Sequence, residues 1–155
     1  MSNTSDRWVQ VWFRMPPGSS ATSIGMGAEL VAPDRVRLPM APWAAFDAAK
    51  DDIFRIEQDR DGQWWVREKV TTSGYCAIRI WTTDESVLEH FEDVVLADLA
   101  PLQVSGQGMF GLVVLDVPPT ADLAAVRRLL RGGEHAGRWT VEELCVTAAW
   151  RAAAP

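Results

Sequence analysis

Two histidines, two cysteines and a run of carboxylates are the side chains from which this chain could build catalytic or metal chemistry. His90 stands in a segment of helical periodicity and His135 in a Gly-flanked loop. Neither has a second His or a Cys at the spacing a zinc site uses. A Cys nucleophile with a His base would need Cys76 and His90 presented to one cleft. Cys76 alternates with Ile78 and Ile80, so it is read as a core thiol, and Cys145 as a second free, buried thiol. Asp47, Asp51, Asp52, Glu57, Asp59 and Asp61 form an acidic cluster of the kind that does acid–base work or holds a hard cation. Their spacing matches no calcium loop, residues 59–62 already read as a turn, and the cluster is read as solvated surface. Gly106, Gly108 and Gly111 give G-x-G-x-x-G, but the motif leads into a strand, whereas a phosphate site needs a helix N-terminus. These residues yield no catalytic assignment, no metal ligand and no cofactor.

Residues 73–79, Ser-Gly-Tyr-Cys-Ala-Ile-Arg, point to binding instead. A turn enters a strand there, and Tyr75, Arg79 and Trp81 share the face opposite Cys76, Ile78 and Ile80. An arginine flanked by aromatics can stack on a planar ligand or pair with a carboxylate. The same face could equally be the seam on which the preceding part of the chain docks. Ser73, Tyr75, Arg79, Trp81 and Trp64 are the candidate binding residues. The chain has eight tryptophans. Tryptophan is favoured in binding hot spots and also fills cores, where its N–H finds a partner. About two thirds of the eight are assigned to the core on that ground.

The elements that position these residues fall into two halves. Residues 7–15 alternate Trp8, Gln10, Trp12 and Arg14 against Val9, Val11 and Phe13, a strand pattern ended by Pro16-Pro17-Gly18. Residues 19–27 read as a Ser/Gly-rich loop, 28–31 and 35–38 as short strands around Pro33-Asp34, and 39–49 as loop with one helical turn at most. Residues 52–58 and 63–71 are β runs joined through Asp61-Gly62, a hairpin signal because Gly accepts positive φ. The first half, residues 1–72, is therefore expected to be a small β-barrel or strongly curled sheet.

Residues 73–150 read strand, helix, strand, strand, helix, strand. Residues 75–81 form the first strand. Thr82 and Glu85 fit a capping box opening a helix that carries Val87, Leu88, Phe91, Val94 and Val95. Residues 102–105 follow as a short strand, Gly106-Gln107-Gly108 as a turn, and 109–117 as a central strand apolar on both faces. Pro118-Pro119-Thr120 supplies the next N-cap, Leu123, Val126, Leu129 and Leu130 the buried stripe, and Gly132-Gly133 the stop. Residues 139–147 make the last strand. The expected fold is α+β: a barrel-like half packed on a ferredoxin-like βαββαβ half, with residues 151–155 as a tail.

Composition bounds the function classes. With 48% hydrophobic and 23% charged residues the chain is globular, and its longest apolar runs, such as residues 111–115, fall far short of the roughly 20 residues a membrane helix needs. The first six residues lack the basic and apolar regions of a signal peptide, so the expected location is the cytoplasm. Residues 1–72 hold 9 basic and 10 acidic side chains, and residues 73–155 hold 6 and 11. A nucleic-acid binder gains affinity by neutralising phosphates with Lys and Arg, so nucleic acid is disfavoured as a partner, and so is single-stranded RNA on an aromatic sheet face. The acidic second half suits solubility or attraction to a basic partner.

The chain resembles the bacterial family called domain of unknown function 4265. The likeness is carried by Glu29-Leu30-Val31-Ala32, by Arg37-Leu38-Pro39 followed by Lys50-Asp51-Asp52-Ile53-Phe54, by residues 73–79, by Val117-Pro118-Pro119-Thr120-Ala121-Asp122-Leu123, and by residues 137–143. It covers about residues 28–145. Relatives more often carry Gly-Asp where this chain has Asp51-Asp52, and a His and a Ser or Thr where it has Tyr75 and Cys76. The resemblance implies the fold and no activity.

From these observations the expected function is a non-enzymatic binding or interaction protein with a protein partner, in its concrete form an immunity or regulatory protein masking a basic partner. The alternative is a small-molecule-binding or enzymatic domain with its site at the seam, around Tyr75, Arg79 and Trp81.

Overall fold

The computed structural model describes residues 7–154. The reading of the first six residues, and of Pro155 in the tail, lies outside them. Five strands close into a barrel: β1 (Trp8–Arg14), β2 (Ser23–Ala32), β3 (Arg35–Arg37), β4 (Ile53–Gln58) and β5 (Trp64–Thr71). Neighbours run antiparallel, and β1 closes on β5 in parallel through Val11 with Trp64 and Trp12 with Trp65. The alternation in β1 places Val11 and Phe13 inside, with Val36, Leu38, Phe54 and Ile56. The rings of Phe13 and Phe54 meet edge to face at 5.9 Å, the arrangement their quadrupoles favour. Asp59 ties the β4–β5 turn by accepting the amides of Asp61 and Gln63, and Gly62 takes φ +83°.

Residues 23–27 are not loop but the first half of β2, paired with β1 along its whole length. The alternation is hidden because Gly25 and Gly27 occupy outward positions. Trp12 lies across Gly25, where an added Cβ would meet its ring.

The second sheet has the order β7-β8-β6-β9, with all neighbours antiparallel. Its strands are β6 (Cys76–Trp81), β7 (Ser105–Met109), β8 (Leu112–Val117) and β9 (Thr140–Cys145). Helices α1 (Phe91–Leu99) and α2 (Leu123–His135) cover one face, where Ile78, Ile80, Val95, Leu99, Val126 and Leu130 are buried together. Cys76 joins that core, as its alternation predicts. Among the described residues no helix is long and apolar enough to cross a membrane.

Several boundaries differ from the sequence reading. Thr82 and Glu85 open no helix: Thr82 accepts the amide of Asp84, Asp84 accepts the amide and hydroxyl of Ser86, and the helix starts only at Phe91. These short polar side chains stabilise successive turns instead. Gly106-Gln107-Gly108 lie inside β7, and the reversal is at Phe110-Gly111 (φ +45° and +81°). The two glycines mark close approach rather than a turn, since a Cβ at Gly106 would meet the Val114 carbonyl of β8 and one at Gly108 the Leu112 carbonyl, with Leu96 and Glu92 of α1 close behind. The cap of α2 is Asp122, which accepts the amide of Ala125, and not Thr120. The end of the second half and the first two residues of the supposed tail form a short helix, α3 (Ala148–Ala152), capped by Thr147 and tied down by Arg127, which donates to the carbonyls of Trp150 and Ala153.

Helix α2 also runs through Gly132-Gly133 instead of stopping there. Gly133 is needed because the Trp139 indole packs directly against the helix backbone there while its N–H donates to the Leu130 carbonyl at 2.9 Å. Gly133→Ala gains up to about 1 kcal/mol of helix propensity but forces the indole out of place, a cost of about 1–3 kcal/mol. The expected outcome is a net lower urea midpoint. Gly132→Ala, where an added Cβ meets nothing, is expected to raise it.

The face of the sheet away from the helices is covered by residues 38–52, the segment joining β3 to β4. Ala41 and Ala49 pack there on Ala77, Val114 and Leu144, all at most 3% exposed. Residues 39–49 contain bends but no helical turn. Two carboxylates are buried along this seam, Asp52 and Asp116. Asp116 on β8 accepts the Ala41 amide at 3.0 Å. Asp52 accepts the amides of Ala49 and Ser73 and pairs with Lys69 at 2.8 Å.

Candidate functional site

The β6 alternation that sends Ile78 and Ile80 into the helical core sends Arg79 and Trp81 to the seam side, near its open end. There Arg79 donates to the Trp43 carbonyl at 3.2 Å and to Glu142 of β9 at 2.8 Å, and its guanidinium lies 5.8 Å from the Trp81 ring. Its Nε is buried without a partner. Beside it runs an open groove of about 370 Å³ lined by Arg79, Trp81, Thr82, Phe110, Leu112 and Glu142. Phe110, at the β7–β8 turn, is 86% exposed, the most exposed large apolar side chain among the described residues. Thr82 donates its amide to the Gly111 carbonyl, which binds the strand end to the turn.

Only two of the five sequence-derived binding residues meet in this groove. Ser73 is structural: its amide goes to Asp52, its hydroxyl to the Lys50 carbonyl, and its Oγ accepts the Tyr75 amide. Tyr75 is half-buried in the seam cluster, with Lys50 Nζ 5.5 Å from its ring. Trp64 belongs to the barrel wall and lies against the barrel core. Phe110, Leu112 and Glu142 were missed. The signal for Phe110 was present, because a two-residue reversal before Leu112 would have put an aromatic at a turn tip. Of the eight tryptophans only Trp139 and Trp150 are buried; Trp8 is exposed and the other five are half-buried. Outer barrel strands and the seam end give a large ring one covered face and one free face.

The groove offers a guest an ion pair and aromatic surface. Arg79 and Glu142 neutralise each other, and the walls are aromatic. Cys76 contacts the Thr147 hydroxyl at 3.8 Å inside the core, whereas His90 is exposed, so the two form no pair. Cys145 has Lys69 Nζ at 3.9 Å, but burial pushes its thiol up, which keeps it protonated and poorly nucleophilic. Asp59 is held below the usual carboxylate range by the Trp65 indole N–H and the Gln63 amide, so it remains an ionised turn residue.

A family model described as Domain of unknown function (DUF4265) matches residues 25–141, which take in most of the barrel and the second sheet as far as β9. The chain belongs to the DUF4265 family. No curated protein matches it. A solved structure described as "Novel crystal structure of a hypothetical protein from Neisseria gonorrhoeae" is similar over 88% of this chain and 94% of that one, with a TM-score of 0.71 and 19% identity. That likeness concerns the fold.

Proposed function

We propose that this protein is a non-enzymatic, cytosolic interaction protein that holds a protein partner at the open end of the seam, in the manner of an immunity or regulatory protein. Phe110 carries the reading. A bulky aromatic at φ +45° costs about 1–2 kcal/mol, and at 86% exposure the ring recovers almost none of that by burial within its own chain. A contact outside the chain accounts for it, and Trp81 with the Arg79–Glu142 pair forms the adjoining floor. We read the second sheet with α1 and α2 as a ferredoxin-like unit. The order β7-β8-β6-β9 and the placement of both helices on one face support that reading.

Phe110→Gly separates function from folding. Relieving the backbone should leave the melting temperature unchanged or raise it, by up to about 1 kcal/mol of stability. Capture of the partner from the native host, identified by mass spectrometry, should be lost. Undiminished capture by the variant, or a marked fall in its melting temperature, would overturn the proposal. The small-molecule alternative is supported by the unpartnered Nε of Arg79, but the packed centre of the seam confines any ligand to the same open groove.

A further inference from the structure

We infer that a second groove, between the start of α1 and the C-terminal end of α2, receives an apolar side chain from a cationic segment of the protein partner. This rests on the reading of the chain as an interaction protein, but on a different surface and different observations. The groove has a volume of about 350 Å³ and is lined by Val87, His90, Phe91, Val94, Arg138 and Trp139 among others. Its floor is the edge-to-face pair of Phe91 and Trp139, whose ring centres are 6.5 Å apart. Val87 and Val94 are 40% and 48% exposed at its rim, two branched apolar side chains facing water beside an apolar floor. Surfaces of this kind mark contact sites for other chains.

Charge decides the occupant. Residues 80–126 contain eight carboxylates and no Lys or Arg. Of these, Asp84, Glu85, Glu89 and Asp93 are exposed around the groove's own segment. Arg138 at the groove does not offset them, because Asp98 takes its charge at 3.1 Å while its guanidinium stacks 4.5 Å from the Trp139 ring. The arginines of α2 do not line this groove, since Arg127 and Arg131 line a separate one with Glu134, Glu142 and Glu143, so the charge along the α1 side of the groove is mainly negative. It repels acidic chains, including a second copy of this one with the same face, and attracts Lys- and Arg-bearing segments. The complement is an amphipathic segment with an apolar anchor for the Phe91–Trp139 floor and flanking cations for the carboxylates.

The test uses the full chain, isotope-labelled, and a short synthetic peptide of Leu and Lys at helical spacing. Titration followed by NMR should shift the amides of Val87 and Val94 and the Trp139 indole N–H, with an affinity that falls as salt is raised. A charge-matched peptide with Ser in place of Leu should bind about tenfold more weakly, as should the Leu–Lys peptide to a Val87→Ser/Val94→Ser variant. Phe110→Gly should bind the peptide as the wild type does, which keeps this result apart from that of the first groove. Equal binding of the two peptides would reduce the effect to bulk electrostatics and overturn the inference. So would shifts centred elsewhere, or shifts at Val94 that depend on protein concentration without peptide and so report a second copy in the groove.

Discussion

Asp52→Ala should cost about 3–5 kcal/mol, a large share of the 5–15 kcal/mol that hold a domain of this size together. The carboxylate is 1% exposed and serves three partners at once: the Lys69 ammonium at 2.8 Å, the Ser73 amide at 2.8 Å and the Ala49 amide at 3.0 Å. Truncation strands all three. Lys69, only 23% exposed, would be left with the Cys145 thiol and the face of Phe54. The two amides would lose their acceptor within the seam, each a desolvation cost of about 1–3 kcal/mol. Urea denaturation should show the midpoint falling for Asp52→Ala, falling less for Asp52→Asn, and recovering in part in Asp52→Asn/Lys69→Met, where no lone buried charge remains. A double-variant cycle with no coupling between positions 52 and 69 would mean that the ion pair contributes nothing to holding the seam.

Asp116→Asn should have the opposite sign. Burial raises the Asp116 carboxyl to about 6, against the Ala41 hydrogen bond and the Lys50 charge, which favour ionisation, and with help from Asp51, which opposes it. Because the folded value lies above the unfolded one of 3.8, the folded state binds more protons between these limits. Stability from this group is therefore full below about pH 4 and falls as pH rises to about 6. Above that the ionised, buried carboxylate costs about 3 kcal/mol at most. Asparagine keeps an acceptor for the Ala41 amide and carries no charge. The variant should match the wild type near pH 4 and exceed it by about 1–3 kcal/mol at pH 8. Other carboxylates titrate in the same range, so the difference curve between the two proteins is the readout; parallel curves from pH 4 to pH 8 would show that Asp116 is not desolvated.

Both effects arise at the seam, where residues 38–52 meet β8 and the end of β5. In sequence, Asp51 and Asp52 were adjacent members of an acidic cluster assigned to solvent. In the fold, Asp51 sits at φ +65° on a turn, and Asp52 points into the seam to organise three chain segments. Nothing local distinguishes them, because the burial of Asp52 depends on Lys69 and Ser73 being brought to it by the closed barrel. Asp116 is similar: its partner Ala41 lies 75 residues away. Phe110 was misplaced for a related reason. Gly106 and Gly108 look like a turn, and only the close pairing with β8, with α1 packed above, explains them as places where a side chain would not fit.

The amino-acid pattern by itself determined the order of the strands and the two longer helices, the closed or curled nature of the first half, the Asp-Gly hairpin, the division of β6 into a helix-facing and a seam-facing side, and the family resemblance. The elements follow from period-two and helical spacing of apolar residues, the hairpin from turn chemistry and the family resemblance from short motifs, all of which the order of residues records locally. The tertiary structure alone decided that residues 38–52 fill the seam, that two aspartates are buried within it, that only Arg79 and Trp81 of the expected binding residues share a groove, and that Phe110 stands at its lip. Those facts depend on contacts between segments distant in the chain, and such contacts leave no periodic trace in either partner.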